Sequence, residues 1–131
     1  MSKKSPSMDQ WIKEAKEHPS AARVGMYLFH NGVVRETPKA KVRMGIDDGT
    51  IVEKLDFTFD QAKVDRATEE TLEREGIFYV KAWLNEGTLD VGEDIMYVLI
   101  GGDIRPNVVD GLQFLVERIK TQCVVEIESL I

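Results

Sequence analysis

One cysteine, Cys123, rules out an intrachain disulfide framework, and with only His18 and His30 as imidazoles the chain is too poor in soft ligands for a structural zinc cluster. No stretch approaches the ~18 apolar residues of a membrane span, and the basic start MSKKSPSMDQW has no apolar run behind it. A reducing, cytoplasmic setting without membrane contact is therefore expected. A basic excess is also lacking. Lys and Arg number 17 against 23 Asp and Glu, for a formal net charge of -6, which argues against indiscriminate nucleic-acid binding but leaves room for a local basic pocket that holds a small anion. GxGxxG, GxxxxGK, HExxH and GxSxG are all missing, so P-loop nucleotide binding, zinc proteolysis and serine hydrolysis have no motif support.

What is present suits a globular fold. In 131 residues, 43% are apolar and 31% charged, enough for one domain (residues 1–131) with its own core and a flexible arm at 1–6. Ser7 and Gln10 have capping-box spacing, and a helix should run from there to His18-Pro19. Residues 22–31, largely apolar on both faces, read as a central strand, and 32–35 either continue it or bulge out of it. After a polar loop at 39–43, Asp47-Asp48-Gly49 reads as a hairpin turn before a strand at 51–59. Asp60 should cap a helix to about Glu75, with Val64, Ala67 and Leu72 inward and Gly76 as its stop. A β-rich run (77–84), a turn (90–93) and an apolar strand (95–100) follow. Pro106 opens a helix to about Thr121, and 123–131 alternates as a last strand. The expected class is α+β, a mostly antiparallel sheet with about three helices.

Few residues invite a chemical reading. His18 beside a proline, His30 within a strand and Cys123 entering an apolar strand each have a structural explanation. Glu69-Glu70 fit a solvated helix face, and Glu126 and Glu128 an outward strand face. Three cations stand out: Arg35 after Val33-Val34, Arg105 after Gly101-Gly102-Asp103, and Lys120 in the last turn of the final helix. Taken singly they fit solvated ends and the helix dipole. Their joint spacing carries more weight.

Gly25 to Gly32 followed by Val33-Val34-Arg35, then Gly87-Thr88-Leu89-Asp90-Val91-Gly92-Glu93-Asp94-Ile95, then Arg105 with Ile119-Lys120-Thr121 fifteen residues on, resemble the large (catalytic) subunit of molybdopterin synthase, the MoaE family. The likeness runs from about Ala22 to the C-terminus. It implies an α/β hammerhead fold and a homodimer. It further implies a small ubiquitin-like sulfur-carrier partner ending in Gly-Gly, whose thiocarboxylate supplies sulfur to cyclic pyranopterin monophosphate in molybdenum cofactor biosynthesis, with no cofactor or metal. By the same resemblance Lys120 is the catalytic lysine, Arg35 and Arg105 hold anionic groups of the pterin phosphate or the carrier tail, and the three cations share one cavity. The sequence departs from the family at Ile104, where histidine is expected before Arg105, and at Ile127, where a second lysine is expected. It also ends at Ile131, short of the usual tail. These departures leave an alternative: a non-catalytic paralogue acting as a dimeric binding module for a ubiquitin-like partner or a small anion.

Overall fold

The computed structural model describes residues 4–131, so the arm expected at 1–6 lies partly outside the described residues. Ser5 Oγ, within that arm, donates to Asp94 Oδ2 at 2.6 Å. Helix α1 (Met8–Glu17) starts where its cap is: Ser7 Oγ accepts from the Gln10 N–H at 3.2 Å. The Gln10 amide does not return the bond but reaches Glu14 Oε1, so the capping box is half formed. His18 and Pro19 end α1 and begin a short 3-10 turn (Pro19–Arg23).

Strands β1 (Met26–Val33), β5 (Asp94–Gly102) and β3 (Ile77–Leu84) form one antiparallel sheet in the order β1-β5-β3. A second antiparallel sheet has the order β4-β2-β6, from β4 (Gly87–Asp90), β2 (Val52–Phe59) and β6 (Val124–Leu130). Three helices complete the elements: α2 (Lys39–Met44), α3 (Gln61–Leu72) and α4 (Arg105–Arg118). The α+β class with mostly antiparallel pairing is as expected.

Two details differ from the sequence expectation for a common reason. β1 lies at an edge and β5 at the centre, because both faces of β1 are covered while one of its backbone edges is free. The turn at Asp47-Asp48-Gly49 forms, with the Gly49 N–H donating to Asp47 Oδ1 at 3.1 Å, yet it joins no hairpin, since β1 and β2 belong to different sheets. The 90–93 turn likewise links β4 of one sheet to β5 of the other. Turn chemistry is local, whereas pairing follows which faces the strands bury.

The main core fills the space between the sheets and helices: Phe57, Leu89, Val98, Ile100, Val108 and Leu115 are fully buried. At about 1.5–3 kcal/mol for each large apolar side chain removed from water, this contact holds the sheets together. The other face of the first sheet carries a separate aromatic cluster. There Trp11 of α1 meets Tyr97 edge-on at 5.9 Å and Phe29 at 6.1 Å, with Leu99 and Ala15 beneath. On α3, Asp60 caps as expected and Val64 and Ala67 point inward, but Thr71 takes the buried place expected for Leu72, which is exposed. Gly76, with φ +76°, ends the α3 region.

Helix α4 begins one residue before Pro106 and ends at Arg118, short of the expected Thr121. Beyond it the backbone widens into a π-helical turn (Ile119–Cys123) that carries Lys120 and leads directly into β6. Such turns cost hydrogen-bond geometry and recur at functional sites.

Candidate functional site

The two sheets leave a cavity of about 200 Å³ where their ends meet α2 and the π-turn. β1 contributes His30, Gly32 and Val33, and the segment just past it Val34 and Arg35. α2 adds Lys39 and Arg43, the π-turn Lys120, and the inner face of β6 Glu126 and Glu128. Val52, Leu55, Ile95 and Met96 form the apolar floor. A bulge between Gly32 and Val33 turns the end of β1, and Val34 is pinned by backbone bonds to Glu93 and Gly92, which fixes where Arg35 leaves the sheet. Arg35 Nε donates to the Thr37 carbonyl at 3.1 Å.

The charges on this lining are uneven. Arg35, Lys39, Arg43 and Lys120 face only two carboxylates, a local surplus of two positive charges in a chain whose total is -6. Lys39 Nζ pairs with Glu126 Oε2 at 2.5 Å, with the Glu126 side chain only 9% exposed. Glu128 accepts the Lys39 backbone N–H at 3.2 and 3.3 Å, supplying the first turn of α2 with the cap its own sequence lacks. Lys120 keeps part of its surface in solvent at the cavity mouth. Enough protein surrounds its ammonium that burial pulls its pKa below that of an ordinary lysine. Glu126 opposes the shift, and Arg43, Lys39 and Arg35 reinforce it. His30 Nε2 is buried without a hydrogen-bond partner, and burial followed by the Lys120 charge holds its pKa below the usual histidine value.

Of the three cations singled out from sequence, the cavity gathers Arg35 and Lys120 but not Arg105. Arg105 is exposed on the first turn of α4, and fifteen residues at about 1.5 Å each set it roughly 22 Å along the chain axis from Lys120. The shared three-cation cavity that the resemblance implies holds two of them in the single chain, extended by Lys39 and Arg43. Ile104 and Ile127 are 57% and 60% exposed and belong to neither wall.

Sequence reasoning missed Lys39, Arg43, His30 and the two carboxylates. Glu126 and Glu128 were expected to face outward, but they pair in register with Phe57 and Leu55 and so share the inner face of β2 and β6, leaving Val125 and Ile127 outside. A strand of alternating acids and apolar residues shows its period but not its phase. The basic run KAKVR at 39–43 was the available signal for α2, and only its fold-back against β6 gives it a target. His18 is structural, its Nδ1 held by Ser20 Oγ at 2.8 Å beside the Tyr79 ring. Cys123 is buried, and burial raises its thiol pKa. Among the described residues no group of three or more His, Cys, Asp or Glu side chains is placed to hold a metal ion, and no helix is long and apolar enough to cross a membrane.

Two antiparallel three-stranded sheets clasping a cavity with a local surplus of positive charge define an α+β protein with a basic pocket. The profile of the MoaE protein family matches residues 2–122, and the chain belongs to that family. Its fold is similar to molybdopterin synthase from Staphylococcus aureus, with a TM-score of 0.73 at 18% identity, covering 95% of this chain and 85% of the other. It is similar also to a molybdopterin biosynthesis MoaE protein from Burkholderia ambifaria MC40-6, with a TM-score of 0.72 at 14% identity over 98% and 84%. A third likeness is to the complex of subunits 1 and 2 of the molybdopterin-converting factor from Helicobacter pylori 26695, with a TM-score of 0.64 at 16% identity over 95% and 79%. At these identities the likenesses establish the fold. No curated protein matches the sequence.

Proposed function

We propose that this chain acts in molybdenum cofactor biosynthesis as a large subunit of the molybdopterin synthase type. In this reading it works in the cytoplasm as a homodimer and transfers sulfur from the C-terminal thiocarboxylate of a small ubiquitin-like subunit to cyclic pyranopterin monophosphate. The observation that carries the reading is the Lys120 ammonium on its π-turn, inside a cavity with a local surplus of positive charge on a MoaE-family fold. A pocket of about 200 Å³ is smaller than the usual range for whole small-molecule sites, ~300–1,000 Å³, so it suits one anionic end of a larger guest. The phosphate of the pterin and the carboxy-terminal tail of the carrier both qualify.

Lys120 suits two steps of such chemistry. As an ammonium it stabilises negative charge developing on the acyl group, in a site where partial exclusion of water strengthens the interaction. As an amine, made more available by its lowered pKa, it is a nucleophile toward an activated acyl carbon. Arg35 offers a planar fork to phosphate or carboxylate oxygens. Any anion held by Arg105 sits outside this cavity in the same chain. The complex of subunits 1 and 2 seen for the Helicobacter pylori relative supports a small-subunit partner.

A binding module without transfer is the second reading, favoured by Glu126 and Glu128 occupying the wall that an anionic guest must approach. One experiment separates the two. Purified chain, thiocarboxylated small subunit and cyclic pyranopterin monophosphate are combined and the dithiolene product is measured. The expected result is product formation, abolished by Lys120→Ala. Intact binding of the small subunit with no product would establish the second reading and refute the first.

A further inference from the structure

A buried polar atom without a partner costs about 1–3 kcal/mol, so native proteins keep few of them, and each calls for an explanation. Among the described residues His30 Nε2 is the one buried side-chain nitrogen or oxygen without a hydrogen bond. His30 lines the Lys120 cavity, two residues before Gly32, with this nitrogen turned under the cavity surface. A Cβ at Gly32 would stand 3.8 Å from this nitrogen and a tighter 3.3 Å from Met96 Cγ, which places the imidazole nitrogen beside the cavity-lining Gly32.

We propose that His30 is the proton-binding member of this cavity: its Nε2 hydrogen-bonds an anionic guest, and the cavity takes up a proton at that imidazole as the anion enters. The inference rests on reading the cavity as an anion site. Charged and polar groups border this cavity from each element around it. Lys120 approaches from the π-turn and Arg35 from beyond β1, Lys39 and Arg43 stand on α2, and Glu126 and Glu128 on β6. Gln113 and Glu117 of α4 border the groove on the imidazole's other side, and Ile95 and Met96 of β5 are apolar.

Without a guest, burial and the Lys120 charge both favour the neutral ring. An anion beside it offsets the Lys120 charge and accepts the Nε2 proton in a charge-assisted hydrogen bond, so the folded, liganded protein holds that proton to higher pH. The sign follows from linkage. Between the free and bound titration midpoints of His30 the complex carries more protons than its parts, so affinity for an anion of fixed charge rises as pH falls, by at most about tenfold per pH unit.

Sulfate is the probe, because it stays divalent between pH 5.5 and 8. Its affinity for the full chain is measured by calorimetry across that range, and the two histidine Cε1–H resonances are followed by NMR. Wild type should bind sulfate more tightly as pH falls, and sulfate should raise the titration midpoint of His30. His30→Gln, which keeps a hydrogen-bonding side chain but cannot titrate, should bind sulfate with the pH dependence flattened. His30→Phe should weaken binding and flatten it as well. The inference is overturned by a wild-type profile matching that of His30→Gln, by an unmoved His30 midpoint at saturating sulfate, or by no sulfate binding at all. Sulfur transfer that persists alongside any of these results leaves the proposed function standing and removes only the role of His30.

Discussion

Glu126→Gln tests whether the cavity's field is what attracts its guest. The substitution keeps shape and one hydrogen-bond acceptor for Lys39 while raising the net charge of the lining from two positive to three. A cavity of about 200 Å³, taken as a sphere, has a radius of about 3.6 Å, so a charge on its wall stands about 5.3 Å from a centred guest once an atomic radius is added. For a divalent anion at that distance with the dielectric constant of water, the repulsion removed is about 1.6 kcal/mol, or about 15-fold in dissociation constant. Salt near 0.15 M would roughly halve it, so calorimetry with sulfate belongs near 10 mM ionic strength, where the screening length is about 30 Å. The pH profile carries a second signature. Glu126 is the group that opposes the lowering of the Lys120 pKa, so without it the ammonium loses its proton at lower pH. The gain in affinity should therefore be largest at low pH and shrink as pH rises. An unchanged or weaker affinity for sulfate at pH 6 and low salt would refute the argument that Glu126 shares a field with the guest.

The remaining predictions concern stability. Leu115→Ala empties a fully buried position where α4 meets the core and should cost about 2–5 kcal/mol in urea unfolding. A loss below 1 kcal/mol would mean the site collapses freely, against the close packing described. Ser7→Ala removes the α1 cap and should cost about 1 kcal/mol. Gln10→Ala should cost only a few tenths, because the Gln10 amide bonds Glu14 on the exposed helix face rather than the cap. Equal losses for the two would restore the full capping box.

Much of the element list was legible along the chain, because each signal is local. Ser7 and Asp60 cap, Pro19 and Gly76 stop, and the spacing of Val108, Leu112 and Leu115 defines one buried helix face. The candidate site was legible in part. The resemblance pointed to Arg35, Arg105 and Lys120, and the regular helix from 105 to 118 sets Arg105 apart from the cavity of the single chain. His30 reads as any strand histidine until its neighbours are known.

Sequence alone determined the α+β class, the boundaries of α1, α3 and α4 to within a few residues and the presence of unusual cations, since propensity, capping and periodicity depend on residues close together in the chain; the run at 39–43, read as a polar loop, instead forms α2. Tertiary structure alone decided that the apparent hairpins split into two sheets, that β1 lies at an edge, and that Glu126 and Glu128 rather than Val125 and Ile127 face inward. An alternating strand is compatible with either face until something else occupies one of them. Here the cations of α2 and the π-turn sit on the inner side, where they give the two carboxylates partners, and removing either partner would leave an uncompensated charge against the core.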